Sequence, residues 1–208
     1  SVPPKQVSLW RTPIFFVSMS KNTIFYHYLK YYSLEEYLFG EVNKRFHNQG
    51  HLDAFDFFCI VIWKANRAKS NVARRMLKKS FTSLEEASKA LTSQIHLAPS
   101  PREKVKVMMN DWGFLLPMSS AILSVLYPED FTVYDIRVCE ILGKYEKLKD
   151  KENVEKLWPI YQQFIEDVKK ATPEVDGLRD KDRVLWGKSF HDQLNKDIEN
   201  KFTKGINN

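Results

Sequence analysis

Cysteine, glycine and proline are scarce in this 208-residue sequence, with two, seven and nine copies respectively, and each scarcity removes a class of structure. Cys59 and Cys139 lie in apolar runs with no second Cys or His at metal-ligand spacing. That excludes a disulfide framework, an iron–sulfur cluster and a zinc finger, and it suggests a reducing, intracellular compartment. The few glycines and prolines cannot supply the many tight turns of a β-sandwich or barrel. The histidines His27, His47, His51, His96 and His191 lack the intervening glutamate of a metalloprotease helix, so no metal site and no cofactor is expected. No run of 18 apolar residues occurs, and the first residues lack the order of basic segment, apolar core and small cleavage residues. Neither a membrane span nor a secretory signal is expected, and no membrane partner.

What is abundant is bulk for a core. Hydrophobic residues make up 43% of the chain, with 14 Phe, 9 Tyr and 5 Trp, so the chain is expected to fold rather than stay disordered. The expected fold class is all-α, with about nine helices. Residues 1–32, carrying Trp10, Phe15 and Phe16, read as an extended lead-in packing on the body, and 33–208 as a single two-lobed helical domain. Helix starts have local mechanisms: Ser33 with Glu36 and Ser83 with Glu86 are capping-box pairs, Asp53 caps an apolar run, and Ser100, Pro101 and Glu103 supply cap, first-turn proline and acid. The helix begun at Ser83 is expected to end near Leu91, and Val133 to open the helical face that continues through Ile136, Val138, Ile141 and Leu142. Two longer helices are expected over about 152–171 and 179–200.

Thirty-two Lys plus Arg against 26 Asp plus Glu leave a formal charge of +6, a balance suited to an anionic partner. Residues 63–79, WKANRAKSNVARRMLKK, concentrate it: Lys64, Arg67, Lys69, Arg74, Arg75, Lys78 and Lys79 occur with no acid among them. Such a strip binds phosphates by releasing condensed counterions, and Asn66, Ser70 and Asn71 add neutral hydrogen bonds. A solvated basic face is the competing reading. Duplex DNA is the expected partner, bound by a monomer.

Residues 113–138, GFLLPMSSAILSVLYPEDFTVYDIRV, lead from a loop through Pro117, Ser119, Ser120 and Ala121 into an apolar helix. A proline-containing turn then leads to Tyr134, Asp135, Ile136, Arg137 and Val138. In this order of parts the chain resembles the helix-hairpin-helix DNA glycosylase superfamily, most closely over 113–146 within a hairpin-like segment 107–146. The resemblance implies a two-lobed all-α fold, a hairpin that docks on a phosphate around Leu116, Met118, Ser119 and Ser120, and a role in DNA repair. It also implies that Asp135 stabilises a developing sugar cation or activates water. The family's Gly-hydrophobic-Gly hairpin is here Phe114, Leu115 and Leu116, and its lyase lysine falls on Met118 or Ser119, neither of which forms a Schiff base. The implied reaction is therefore hydrolysis of the N-glycosidic bond of a flipped nucleotide without a lyase step.

Physical chemistry offers a second role for Asp135, since an aspartate before Ile-Arg-Val-Cys is a good helix N-cap. Trp63, Tyr134, Arg137, Asp182 and Trp186 are candidates for the cleft between lobes, and the same residue types also cap and pack helices. Two classes of function stay open: a monofunctional DNA glycosylase, and a nonenzymatic module that grips nucleic acid or a protein on the same scaffold.

Overall fold

The computed structural model describes residues 28–150 and 153–203; most of the expected lead-in, including Trp10, Phe15 and Phe16, lies outside the described residues. Contacts divide the chain into Ser1–Ser33 and Leu34–Asn208. In the first unit Tyr31 and Tyr32 donate backbone N–H groups to the carbonyls of Tyr28 and Leu29. The described residues of the second unit contain helices and loops and no strand.

Helix α1 (Leu34–Tyr37) passes through a π-helical turn, Leu38–Val42, into α2 (Asn43–Gln49). Tyr37, Leu38, Val42 and Phe46 are the buried face, and Gly50 ends the run with φ of 74°. His47 and His51 stand four residues apart in sequence, but this left-handed residue separates them, and the His47 ring meets the Leu126 carbonyl at 2.8 Å.

Helix α3 (Ala54–Ala65) starts as expected, with the Asp53 carboxylate accepting the Asp56 N–H at 2.8 Å. Phe57, Ile60 and Val61 are wholly buried, and the helix packs between α5 (Leu84–Leu97) and α7 (Leu116–Leu126). Asp56 is buried as well, and it is answered by Arg45 at 2.7 Å and the Tyr37 hydroxyl at 2.6 Å, which ties α1 and α2 to α3. The basic strip is not one helix: Ala65 takes φ of −161°, a 3₁₀ turn covers Asn66–Ala68, and α4 (Lys69–Leu77) begins afresh.

Helix α5 is capped by Ser83, which accepts the Glu86 N–H at 3.1 Å. The Glu86 carboxylate binds Thr82 in place of the reciprocal bond of a capping box. The helix runs on to Leu97, past its expected end, because Ile95 still faces the core; the extended Ala98 before Pro99 stops it. Helix α6 (Pro101–Lys106) continues through a second π-helical turn, Val107–Asp111. Gly113 then has φ of 69°, in the left-handed region that favours glycine; the one atom near a β-carbon there would be the movable end of the Arg75 side chain.

Helix α7 is buried along nearly its whole length. The expected helical face starting at Val133 is not found: Val133 and Tyr134 lie outside helix, and α8 (Ile136–Leu142) begins only after Asp135 has capped it. A 3₁₀ turn, Glu146–Asp150, leads to α9 (Val154–Ala171) and α10 (Leu178–Glu199), close to the two expected long helices. Helix α10 packs along α8 and α9. Among the described residues no helix is long and apolar enough to cross a membrane.

Leu123 is fully buried at the centre of α7, so Leu123→Ala is expected to cost about 3 kcal/mol through lost transfer energy and an unfilled cavity. A denaturant midpoint lowered at constant slope checks it.

Candidate functional site

The site is built on the non-helical residues 131–135 between α7 and α8. Their backbone groups have no strand partner, and side chains from three helices bind them instead. Ser120 of α7 accepts the Tyr134 N–H at 2.9 Å. The Tyr161 hydroxyl of α9 donates to the Thr132 carbonyl at 2.5 Å. Asp182 of α10 accepts from the Val133 N–H at 3.2 Å and from the Thr132 hydroxyl at 2.8 Å. Asp135 ends the stretch with extended dihedrals, and its carboxylate accepts the Arg137 N–H at 3.1 Å, so it is an N-cap.

A cleft of about 630 Å³ opens beside this stretch, lined by residues of α1, α3, α8, α10 and the loop itself. It holds Asp135, Trp63, Arg137, Asp182 and Trp186 together. The structure adds residues from the rest of the chain: Glu35, Arg179, Arg183 and, unexpectedly, Lys64. The Lys64 ammonium donates to the second carboxylate oxygen of Asp135 at 2.7 Å, with the two side chains 15% and 24% exposed. Lys64 therefore faces the cleft rather than the solvent side of the basic strip. Burial pushes the Asp135 carboxyl up, but Lys64, the Arg137 N–H and the Arg137 charge outweigh it and hold the group below its ordinary range.

Arg179 lies between two aromatic rings and two acids. Its guanidinium is 5.1 Å from the Trp63 ring centre and 5.2 Å from that of Phe39, and it donates to Glu35 at 2.7 Å and to Asp182. Asp182 is almost entirely buried, and this burial pushes its carboxyl up against the opposing pull of Arg179, Thr132 and the Val133 N–H. At the rim, Arg137 covers the stacked Trp186 and Phe190 rings, 5.3 Å and 5.7 Å from their centres. Arg183 pairs with Asp180 at 2.8 Å and Glu35 at 3.4 Å.

Other candidates lie elsewhere. Tyr134 is buried with its hydroxyl donating to the Tyr145 carbonyl at 2.7 Å, so it belongs to the core rather than the cleft wall. Leu116, Ser119 and Ser120 are also buried, which takes their side chains away from any phosphate. Helix α7 further has a proline in its first turn and returns the Met118 and Ser119 N–H groups to the Leu115 carbonyl, leaving few free donors. The exposed side chains Arg67, Lys69, Arg74, Arg75, Lys78 and Lys79 form the outward strip. Its far end reaches the loop before α7, where Arg75 lies over Phe114 at 5.9 Å and Lys79 over Trp112 at 5.6 Å.

Glu35 and Arg179 carried no local signal in the sequence beyond ordinary helix-start charges. Among the described residues no three His, Cys, Asp or Glu side chains converge as metal ligands would. The chain matches no protein-family model, no curated protein and no solved structure.

Because the folded value of Asp135 lies below the unfolded one, its ion pair stabilises the fold fully above the ordinary carboxylate range and is lost as pH falls through the depressed folded value. Lys64→Met removes the largest opposing interaction, so burial is expected to move the Asp135 midpoint upward. Carboxyl NMR titration reads it; an unmoved midpoint would show that the pair does not form in solution.

Proposed function

We propose that the protein is a DNA glycosylase-like enzyme with a two-lobed fold of the helix-hairpin-helix type. It hydrolyses the N-glycosidic bond of a nucleotide extruded into the cleft. The observation that carries the reading is the position of Asp135, a carboxylate held low by Lys64 on the wall of a cleft lined by Trp63, Trp186 and arginines. A negative charge kept ionised at neutral pH opposes positive charge developing at the anomeric carbon, and fixed, partly buried charges do this far better than water. Aromatic walls suit an unstacked base, and the rim residues Arg137 and Arg183 suit its flanking phosphates. The outward strip on α4 supplies sequence-independent attraction to the duplex.

One observation favours the nonenzymatic reading. Asp135 is already satisfied by the Arg137 N–H and Lys64, as a purely structural cap would be.

Asp135→Asn separates the two, since asparagine caps a helix nearly as well as aspartate. With damaged or mismatched duplexes, the glycosylase reading expects base release that falls by roughly a hundredfold or more in the variant. No release from any substrate by the native chain leaves the binding module. Binding is tested separately: replacing Arg74, Arg75, Lys78 and Lys79 with alanine is expected to flatten the slope of log affinity against log salt by about 3 units. An unchanged slope makes the strip a solvated face.

A further inference from the structure

The inner line of α10, Leu178, Asp182, Leu185 and Ser189, is buried, but from Phe190 to Asn200 every residue is exposed except the partly buried Asp197. On the side away from the body Val184, Gly187, His191, Leu194 and Ile198 follow one another at intervals of three and four residues, which puts them on one line along the helix. Val184, Leu194 and Ile198 are 45%, 38% and 56% exposed, and Phe190 beside them is 45% exposed. Single exposed apolar residues are ordinary, whereas a line of them over about four turns marks a contact surface. Gly187 is a second observation on the same line. Glycine is unfavourable inside a helix, and a β-carbon at Gly187 would meet nothing within 4 Å. No neighbour among the described residues calls for its small size; a helix pressed against this line would.

Charge selects the occupant. Residues 178–188 hold four cations and two acids, and residues 189–199 hold three acids and one lysine. The helix is positive in its first half and negative in its second, the reverse of what its dipole favours, so its own stability does not account for the layout. A second copy laid parallel would set like charge on like. One turned end for end sets each positive half on a negative one.

We propose that the chain forms a two-fold dimer by antiparallel pairing of α10 with α10 of a second copy, in place of the monomer expected from the sequence. With the axis between Phe190 and His191, Leu194 of one copy rests on Gly187 of the other and Ile198 meets Val184. Asp197, which has no ion-pair partner among the described residues, approaches the exposed Arg183. Each of these three contacts occurs twice, as a two-fold interface requires, and the two Phe190 rings meet at the axis. The pairing needs no nucleic acid and does not rest on the function proposed above.

The test is the mass of the whole chain, without nucleic acid, by sedimentation and light scattering over protein concentrations of roughly 1 to 300 μM. One helix pair is a small interface, so the mass is expected to rise from one copy to two in the roughly micromolar range. Leu194→Glu buries a charge at the centre of the line and is expected to weaken association roughly a hundredfold, with helix content unchanged because the residue is exposed in the single chain. Asp197→Lys is expected to weaken it about tenfold at low salt, the difference shrinking as salt rises. Under mild oxidation Phe190→Cys is expected to cross-link to its own copy at the axis. Leu194→Cys is not, because its two copies lie about 10 Å apart along the helices; Cys59 and Cys139 are buried and do not compete. A single copy at every concentration overturns the proposal, as does an undiminished dimer in folded Leu194→Glu. Cross-linking through Leu194→Cys but not Phe190→Cys overturns the antiparallel register.

Discussion

The arrangement depends on satisfying the backbone of residues 131–135, a stretch that neither helix nor sheet provides for. A buried N–H or C=O left without a partner costs about 1–3 kcal/mol, so the stretch persists only because Ser120, Tyr161 and Asp182 reach it from three helices. These bonds do two things at once. They fix α7, α9 and α10 around one short loop, and they deliver Asp135 in the extended geometry that an N-cap requires. The cleft wall and the core are thus parts of one polar structure.

The same constraint governs the charges in the cleft. Asp182 is buried with Arg179 and two hydrogen-bond donors, and Arg179 in turn is shared with Glu35 and stacked on aromatic faces. A buried acid without these partners would be strongly destabilising. The Glu35–Arg179–Asp182 group is therefore a closed network that holds α1 against α10. Lys64 and Asp135 form a second pair on the same wall, joined at 2.7 Å, with side chains 15% and 24% exposed.

How much of this the sequence reveals depends on range. Caps act across three residues, so Asp53, Ser83 and Ser100 could be read directly, and the structure places the N–H of Asp56, Glu86 and Glu103 on them. Asp135 as a cap was legible for the same reason. Helix ends were less so: Leu91 is an apolar residue like Ile95 and Leu97 after it, and only the packing of Ile95 keeps α5 going. The two π-helical turns leave no local mark. Lys64 and Asp135 are 71 positions apart, and no short-range pairing in either segment joins them or sets Lys64 apart from the six other cations of its strip. The buried hairpin serines show the opposite error, in which small polar residues look accessible in sequence yet face a core that needs their size.

The place of Lys64 along its own helix is nevertheless marked. Helix α3 is apolar almost all round until Trp63 and abruptly basic from Lys64 onward, and such a change marks where a central helix crosses from interior to surface. A lysine at that crossing has its stem among apolar side chains and its ammonium at the boundary, the position from which a long side chain reaches into a cleft. Helix α7 cannot offer the same: it is buried almost end to end, with Leu116, Ser119 and Ser120 in the core, and a lysine among them would bring an ammonium into a space without partners. Among the described residues the cleft therefore takes its lysine from α3, and it takes Asp135 from the start of α8. The break at Ala65 turns the remaining cations of the strip outward and leaves Lys64 with Asp135.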